Sequence, residues 1–295
     1  MQPVQPDEAR PAGSISEALP IIDTHIHLWD QSRIEYPWLA RWPQLGTQVA
    51  AHDLVAAAPA LAGAVFIEAS PKPADVGTEL AWLAEQATRC PFPVRIVVQA
   101  DPSCPTWWTS VADGAQLVRG VRQVMHMAPE GSVSDLAFVE SARAAGEAGL
   151  SVDLTVRYEQ LDEVAYLCRA VPATTFVLDH LGKPAPHDDR FDTWARTIEN
   201  VSASPNVVCK LSSIAVHPGN PPFRPDVAGR HLSHALQAFG ADRCVYGTDW
   251  PVVTQATSYQ VWLELVLSAL APASTHERAA VLAGNARRVY GFDQQ

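Results

Sequence analysis

Short apolar runs recur along the chain, and stretches with helical periodicity separate them. Apolar runs of this kind, alternating with helical stretches, are typical of repeated β-strand and α-helix units. The predicted strands lie within Ile21–Asp30, Ala64–Glu68, Val94–Gln99, Gly120–His126, Ser151–Val156, Thr175–His180, Val207–Ser212 and Cys244–Asp249. The predicted helices are Val76–Arg89, a short one near Trp107–Asp113, Ser134–Gly146, Gln160–Val171, Asp189–Ser202, Pro225–Phe239, Tyr259–Leu270 and one from the S-x-x-E capping box at Ser274 to about Tyr290.

Eight strands, each followed by a helix, predict an α/β protein of the closed (β/α)8 TIM-barrel type. Residues 21–295 are expected to form this barrel as a single domain, since such barrels commonly span about 250 residues. Residues 1–20 contain Pro, Gln, Glu and Ser without a basic region followed by an apolar stretch. They are interpreted as a loose leader and not as a signal peptide.

The charge and cysteine content narrow the class of protein further. A net charge of −11 and only three lysines, with no basic run, argue against a nucleic-acid partner. No stretch approaches the roughly 18 apolar residues that a membrane span needs. The five cysteines are odd in number and irregularly spaced, so they are interpreted as reduced thiols in a cytoplasmic protein. A small molecule is therefore the expected partner, and the oligomeric state is left open.

Polar and ionisable residues stand at the ends of most predicted strands. Packing explains them poorly, because buried charges need a partner or a chemical task. In a parallel barrel the carboxyl ends of all strands meet at one mouth, where active sites are built. The residues at these ends are His25, His27, Glu68, Gln99, Asp101, Arg122, His126, Arg157, Asp179, His180, Lys210, Ser212 and Asp249.

The most specific local pattern is the H-x-H pair His25 and His27 in the first strand. Residues i and i+2 of a strand point to the same side, so Asp23, His25 and His27 are expected to share one face. Asp249 ends the eighth strand, which neighbours the first strand in a closed barrel. Two imidazoles and a carboxylate could hold a metal ion, and the carboxylate could exchange a proton with water. There is also a purely structural interpretation. His25 and His27 could be hydrogen-bonded core histidines, as could His180, and Asp249 could be a carboxylate that only holds its loop in place.

Taken together, several motifs resemble the amidohydrolase superfamily. These motifs are Ile22-Asp23-Thr24-His25-Ile26-His27, Tyr36-Pro37-Trp38-Leu39, Asp179-His180-Leu181-Gly182-Lys183-Pro184, Lys210-Leu211-Ser212 and Tyr246-Gly247-Thr248-Asp249-Trp250-Pro251. The likeness is strongest to a branch of metal-dependent TIM-barrel hydrolases that includes L-fuconolactonase, L-rhamnonolactonase and 2-pyrone-4,6-dicarboxylate lactonase. It extends from Ile21 to Phe292 and leaves the substrate open.

This resemblance implies roles for the matching residues. His25 and His27 match the first-strand histidine pair, His180 the sixth-strand histidine, and Asp249 the eighth-strand aspartate that activates water. Arg122 resembles a fourth-strand arginine that contacts the carbonyl or carboxylate of the substrate in lactonases. The resemblance therefore implies a hydrolase that opens a small lactone, most simply a sugar lactone. Asp249 would activate the water that attacks the carbonyl.

Two departures from the superfamily pattern bear on the metal. The fourth strand has no lysine of the kind that bridges two metal ions, and the fifth strand has no histidine. At most one divalent cation is therefore expected, with zinc as the best match and His25, His27 and Asp249 as ligands. Some relatives work without metal, so a metal-independent enzyme stays open. A metal-dependent decarboxylase on the same barrel is the first alternative function, and a ligand-binding barrel without turnover is the second.

Residues around the predicted mouth suit a sugar ring. Trp29 and Trp38 could stack on it, as could the nearby Tyr36 and Trp250. Hydrogen bonds to hydroxyl groups are expected from Glu68, Lys210 and Arg157. The chain has no G-x-S-x-G elbow for a serine nucleophile, which favours direct attack by water.

Overall fold

Eight parallel strands form a nearly closed barrel in the structure, a computed structural model that describes residues 19–101, 114–184, 190–216 and 222–292. The strands are β1 (Ile21–Ile26), β2 (Leu61–Ile67), β3 (Val94–Gln99), β4 (Val118–Val124), β5 (Ser151–Thr155), β6 (Phe176–Leu178), β7 (Val207–Leu211) and β8 (Cys244–Tyr246). Each strand pairs with the next in sequence order. At the seam, the Asp249 N–H donates to the His25 carbonyl at 2.9 Å and the His27 N–H to the Trp250 carbonyl at 2.8 Å. The chain is therefore a single-domain TIM barrel.

Helices follow the strands, as expected for this architecture. Those in the described part of the chain are α1 (Ala51–Ala57), α2 (Val76–Ala87), α3 (Leu136–Glu147), α4 (Leu161–Ala170), α5 (Phe191–Ser202), α6 (Pro225–Phe239), α7 (Tyr259–Ala269), α8 (Thr275–Ala279) and α9 (Asn285–Tyr290). The predicted last helix is three segments, because a π-helical turn at Ala280–Gly284 joins α8 to α9. Its start is as predicted, since Ser274 and Glu277 form the capping box. The helix predicted near Trp107–Asp113 lies outside the described residues.

The sixth and eighth strands are shorter than the sequence predicts. They end at Leu178 and Tyr246, so His180 and Asp249 lie in the loops that follow. Both residues have left-handed backbone angles, with φ of 54° at His180 and 65° at Asp249, and such angles cannot continue a strand. The prediction also missed α1 and a short antiparallel ribbon formed by Trp29–Asp30 and Gln48–Val49.

The barrel interior contains a small apolar cluster that the last helix completes. Val65, Val97 and Val177 come from three different strands and are fully buried. Tyr290, the final residue of α9, packs against the same cluster and is also fully buried. The end of the helical layer therefore reaches the interior of the barrel.

An irregularity in β1 corrects one prediction about the H-x-H strand. Asp23 pairs with Ala64 and Ile26 with Phe66, so β1 carries one residue more than β2 between these positions. Such a bulge turns the following side chains to the other face. Asp23 therefore does not share a face with His25 and His27, and the prediction that all three project together is wrong.

Asp23 instead fastens β1 to the segment after β8. Its carboxylate accepts the Thr248 hydroxyl at 2.6 Å, the Thr248 N–H at 3.1 Å and the His25 N–H at 3.0 Å. Burial raises the pKa of Asp23 to about 6, although these hydrogen bonds act in the opposite direction. This carboxylate holds the seam of the barrel directly beside the histidine pair.

The remaining predictions concern the leader, membrane spans, cysteines and cellular location. Residues 1–18 of the predicted leader lie outside the described part of the chain. Within that part, none of the helices combines the length and the apolar character that crossing a membrane requires. Cys90, Cys168, Cys209 and Cys244 carry free thiols, in line with the expectation of reduced cysteines, whereas Cys104 falls outside the described ranges. The cytoplasmic location stays a prediction.

Candidate active site

Backbone strain is concentrated at the carboxyl ends of the strands. In the described ranges, the non-glycine residues with positive φ are Ser70, His180, Leu181, Lys183 and Asp249, which follow β2, β6 and β8. Left-handed angles are unfavourable for residues with a Cβ and persist where the surrounding structure enforces them, often at functional sites. The strain therefore marks the same mouth that the polar strand ends predict.

His25, His27 and Asp249 form a compact triangle at this mouth. The Nε2 atoms of the two histidines are 3.2 Å apart, and Asp249 Oδ1 lies 3.7 Å from His25 Nε2 and 3.4 Å from His27 Nε2. Gly247 makes room for this approach, because a Cβ there would lie only 3.0 Å from the Cβ of His25. The structure thus brings together the three residues that the sequence predicts as metal ligands.

The hydrogen-bond partners of each Nδ1 atom bear on which nitrogen of the ring carries the proton, and so on whether Nε2 can act as a ligand. His27 Nδ1 lies 3.0 Å from the Ile67 carbonyl, which only accepts hydrogen bonds, so Nδ1 carries the proton. His25 Nδ1 lies 3.3 Å both from Asp179 Oδ1, which can only accept, and from Lys210 Nζ, which can only donate, so these contacts do not select one tautomer of His25. Burial holds the pKa of His25 well below its usual range, so the ring is neutral. In its neutral form, His27 therefore has a lone pair on Nε2, which faces His25 Nε2 and a carboxylate oxygen of Asp249.

This arrangement fits a bound divalent cation. Zinc ligands at the corners of a tetrahedron lie about 3.3 Å apart, and the three distances of the triangle span 3.2–3.7 Å. Histidine ligands of zinc commonly donate their other N–H to a carbonyl or carboxylate, as His27 does to the Ile67 carbonyl. The close approach of these two nitrogens and the carboxylate oxygen is favourable when a proton or a cation lies between them. His25, His27 and Asp249 would hold the ion.

His180 lies beside this triangle. Its ring centroid is 4.5 Å from that of His25, and burial holds its pKa well below the usual range. The Ser212 hydroxyl accepts the His180 backbone N–H at 3.0 Å and lies 2.9 Å from Nδ1 of the ring. The Ser212 hydroxyl can donate to Nδ1, and the ring proton is then on Nε2. In this tautomer His180 is a hydrogen-bond donor toward the site.

Arg122 is fixed by partners on three strands and their loops. Its Nε donates to Thr155 Oγ1 at 3.0 Å and to Asp179 Oδ2 at 3.2 Å. Its Nη1 donates to Glu68 Oε1 at 3.0 Å. These contacts leave Nη2 without a hydrogen-bond partner among the described residues. Although burial opposes the charge, Glu68, Asp179 and Asp249 raise the pKa of Arg122, so the guanidinium stays charged.

Several residues predicted to touch a sugar have other contacts here. Glu68 is almost fully buried and accepts both Arg122 and the Ser70 N–H, so it orients Arg122. Trp29 is fully buried and packs edge-on against Trp38 at 5.8 Å between centroids. Trp38 is only partly buried and donates its indole N–H to the Ala69 carbonyl at 2.6 Å. Of the two tryptophans, Trp38 is placed better for stacking.

Arg157 and Lys210 differ strongly in solvent exposure. The Arg157 side chain is 42 % exposed, and its nearest carboxylate, Glu159, is 4.0 Å away. Lys210 is fully buried, with Nζ 2.6 Å from Asp153 Oδ2 and 2.9 Å from Asp179 Oδ1. Lys210 Nζ also lies 3.3 Å from His25 Nδ1, so this lysine contacts buried site residues, which argues against the predicted contact with substrate hydroxyl groups.

Lys183 is a site residue that the sequence analysis did not single out. It ends the left-handed turn that begins at His180, and its N–H donates to the His180 carbonyl at 2.8 Å. Burial lowers the pKa of Lys183 to about 8, and the charges of Asp249, Arg122 and Asp179 act on it as well. The signal was present in the motif Asp179-His180-Leu181-Gly182-Lys183-Pro184, which contains one of only three lysines.

Comparison with known proteins agrees with this geometry. Residues 22–292 match the amidohydrolase family, and the chain belongs to that family. A protein named L-fucono-1,5-lactonase from Burkholderia multivorans is 32 % identical over 307 residues, which cover 92 % of this chain and 96 % of the relative.

Solved structures extend the comparison. An amidohydrolase from Burkholderia multivorans, crystallised with bound zinc, has a TM-score of 0.80 and 30 % identity, covering 92 % of this chain and 99 % of that one. A putative 2-pyrone-4,6-dicarboxylic acid hydrolase from Pseudomonas putida has a TM-score of 0.73 at 23 % identity, covering 94 % of this chain and 100 % of that one. At this lower identity the likeness shows the shared fold alone.

Proposed function

We propose that this protein hydrolyses a neutral sugar lactone to the corresponding hydroxy acid, with Asp249 activating the attacking water. The observation that carries the proposal is the environment of Asp249. Glu68, Asp153 and Asp179 each have an Arg or Lys nitrogen within 3.2 Å. Asp249 has no such partner among the described residues, and its side chain is 11 % exposed at the mouth. Of these four carboxylates it is the one whose charge is not paired with an Arg or Lys, so it is available to take a proton from water.

The reaction requires one proton to move twice. Asp249 takes a proton from water while the water oxygen bonds to the lactone carbonyl carbon. The bond between that carbon and the ring oxygen then breaks, and Asp249 returns the proton to the departing oxygen. The product is a hydroxy acid, and no covalent intermediate with the protein is needed.

Negative charge that develops on the carbonyl oxygen needs donors that are already in place. Arg122 Nη2 is available because Nε and Nη1 are fixed by Thr155, Asp179 and Glu68. The Nε2 proton of His180 offers a second donor in the tautomer that Ser212 supports. Such preorganised donors contribute strongly to transition-state stabilisation. A zinc ion held by His25, His27 and Asp249 would supply Lewis-acid polarisation of the carbonyl when bound.

The balance of charge favours a neutral substrate over a dicarboxylate. Four carboxylates, those of Glu68, Asp153, Asp179 and Asp249, surround two fully buried or nearly buried cations, Arg122 and Lys210. Arg122 and Lys210 are already paired with carboxylates. Lys183 is the additional cation near the mouth. A substrate with two carboxylates would therefore find Arg122 and Lys210 already paired with carboxylates of the protein, and its charges would be poorly compensated.

Partly exposed residues around the mouth provide contacts for a polyhydroxylated ring. Lys183 and Arg157 offer donors for hydroxyl groups, and Trp38 offers an aromatic face. The lactonase names of the relatives support the reaction class, and the sugar as substrate rests on these contacts and on the charge balance.

A pH-indicator assay with a panel of lactones tests the proposal. The panel contains aldonolactones, simple unsubstituted lactones and 2-pyrone-4,6-dicarboxylate, each at matched concentration and corrected for spontaneous opening. We expect acid release with aldonolactones above that with the other two groups. Preference for the dicarboxylate would contradict the neutral substrate, and the absence of hydrolysis across the whole panel would contradict the proposed activity. Decarboxylation of an aromatic acid by the same protein would support the alternative function.

A further inference from the structure

The loop that carries Asp249 is held by hydrogen bonds on both sides of that residue. On its N-terminal side, the Thr248 N–H donates to Asp23 Oδ1 at 3.1 Å and the Thr248 hydroxyl donates to Asp23 Oδ2 at 2.6 Å. On its C-terminal side, the Trp250 N–H donates to the same Thr248 hydroxyl oxygen at 3.1 Å. The Asp249 N–H itself donates to the His25 carbonyl at 2.9 Å. Asp249 therefore lies in a turn whose two ends are joined through one hydroxyl group.

Asp23 also connects this turn to the histidine pair. Its Oδ1 accepts two backbone N–H groups, that of Thr248 at 3.1 Å and that of His25 at 3.0 Å. One carboxylate oxygen thus joins the residue before Asp249 to the first histidine of the triangle, across the seam of the barrel. Asp23 and Thr248 are both fully buried, so solvent does not compete for these hydrogen bonds.

The direction of each of these hydrogen bonds is determined by chemistry. An ionised carboxylate only accepts hydrogen bonds, and a backbone N–H only donates. The Thr248 hydroxyl therefore accepts from Trp250 and donates its single hydrogen to Asp23. Without this hydroxyl, one buried N–H and one buried carboxylate oxygen would each lose a partner, which is unfavourable. We expect the turn to shift when these partners are removed.

The turn needs such an anchor because the backbone of Asp249 is strained. Its φ of 65° is left-handed, a conformation that costs free energy for a residue with a Cβ and persists where the surrounding structure enforces it. Asp249 Oδ1 lies 3.4 Å from His27 Nε2. Because a catalytic group must stay within about 0.5 Å of its productive position, relaxation of this backbone angle would take Asp249 out of place.

We propose that Asp23 and Thr248 are positioning residues for the general base Asp249. Together they hold its left-handed turn at a fixed distance from the histidine pair. Both side chains are fully buried, so their effect on the reaction passes through the position of Asp249. The inference rests on the proposed function in taking Asp249 as the base, whereas the position of Asp249 can be measured without a lactone.

Replacing Thr248 tests the positioning role through steady-state kinetics. Thr248→Val keeps the shape of the side chain and removes the hydroxyl group, whereas Thr248→Ser keeps the hydroxyl group. Since a misplacement of about 1 Å can cost about 10²-fold in rate, we expect kcat for lactone hydrolysis to fall about 10- to 100-fold in Thr248→Val. KM should stay nearly unchanged, because groups other than Asp249 bind the lactone. Thr248→Ser should restore kcat.

Thr24→Val is the matched control at the same seam. Thr24 is also fully buried, and its hydroxyl donates to the Tyr246 carbonyl at 2.6 Å. Thr24→Val therefore loses one buried hydrogen bond between the first and last strands without touching the turn of Asp249. We expect a similar loss of thermal stability to that of Thr248→Val, with wild-type kcat. An equal fall in kcat in Thr24→Val would overturn the inference, because any weakening of the seam would then suffice.

Crystal structures of the wild type and the variants measure the position of Asp249 directly. In Thr248→Val we expect the Asp249 carboxylate to move by about 0.5 Å or more relative to His27, and in Thr248→Ser and Thr24→Val to stay in place. An unmoved Asp249 in folded Thr248→Val would overturn the inference, as would wild-type kcat in that variant. If the wild type hydrolyses no lactone, the proposed function fails and the crystal structures alone decide this inference.

A milder substitution, Asp23→Asn, covers the case in which Thr248→Val fails to fold. Asparagine keeps one side-chain oxygen for the N–H groups of His25 and Thr248 but turns an amide donor toward the Thr248 hydroxyl, which then loses its acceptor. We expect a displacement of Asp249 and a fall in kcat of about fivefold, the effect of one lost hydrogen bond. A folded Asp23→Asn protein with Asp249 in its wild-type place would contradict the proposal.

Discussion

Two clusters inside the same barrel are built from opposite kinds of residue. One cluster contains Val65, Ile67, Val97 and Val177, with Tyr290 against them, and has no charge to compensate. The other lies at the mouth and contains imidazoles, carboxylates and Arg122, supported by left-handed backbone at His180 and Asp249. The first gains stability from burial, whereas the second carries strain and buried charge. Packing explains the first cluster but not the second. We therefore assign the first cluster to stability of the fold and the second to catalysis.

Substitution of Asp249 should show the difference between the two clusters most clearly, because activity should fall while stability is kept. Asp249→Asn keeps the shape but removes the proton acceptor, and loss of general base catalysis typically lowers kcat by 10²–10⁴. Thermal stability should stay close to that of the wild type, because asparagine tolerates left-handed angles. Steady-state kinetics and thermal unfolding measure the two effects. Asp242→Asn, at an exposed aspartate, is the control. Near wild-type kcat in folded Asp249→Asn would rule out this base and direct attention to His180.

Arg122 contributes to both catalysis and stability, so its replacement should lower both lactone hydrolysis and the free energy of unfolding. Arg122→Met leaves the buried carboxylates of Glu68 and Asp179 without one of their cations. Breaking a buried ion pair in this way costs about 3–5 kcal/mol of unfolding free energy. Urea unfolding measures this loss, and lactone hydrolysis should fall with it. Unchanged stability would mean that the pairing does not compensate the buried charges. Arg230→Met, at a more exposed arginine on α6, is the comparison.

The apolar cluster should affect stability alone. Val177→Ala removes two buried methyl groups, and we expect a loss of about 2 kcal/mol in unfolding free energy from burial and the cavity left behind. The kcat for lactone hydrolysis should remain unchanged at a temperature where the variant is folded. A large fall in kcat would show that this cluster supports the mouth as well as the fold.

Lys183 should produce the smallest effect, visible in the pH profile. Burial lowers its pKa to about 8, so its positive charge is present below that pH and is lost as the pH rises through it. We therefore expect kcat/KM to fall above pH 8. Lys183→Met should be about fivefold less active at pH 7, since a hydrogen bond from a charged donor is lost. The decline above pH 8 should disappear in this variant and persist in Lys72→Met, because Lys72 is about half exposed and pairs with Glu35 at the surface.

The sequence predicted the architecture and much of the mouth from local signals. Apolar runs located all eight strands, since a strand buried on both faces must be apolar. The H-x-H pattern and the barrel closure brought His25, His27 and Asp249 together correctly. The position of Asp23 could not be predicted, because a one-residue bulge leaves no trace in the alternation of polar and apolar residues.

The buried contacts of Asp153 with Lys210 and Tyr290 were only half visible in the sequence. Asp153 and Lys210 each interrupt an apolar strand, and opposite charges buried in one barrel interior must find each other. Their pairing could have been predicted on that ground. The participation of Tyr290 could not, because it depends on how the last helix meets the barrel.

Hydrolysis in water enriched with oxygen-18 tests the central claim most directly. If water activated by Asp249 attacks the lactone carbonyl, the product of a single turnover carries one heavy oxygen in its carboxylate and none in the new hydroxyl group. Mass spectrometry of product fragments distinguishes the two positions, and unenzymatic opening under the same conditions provides the baseline. Heavy oxygen in the hydroxyl group would contradict the account, because it would require attack at the alkyl carbon.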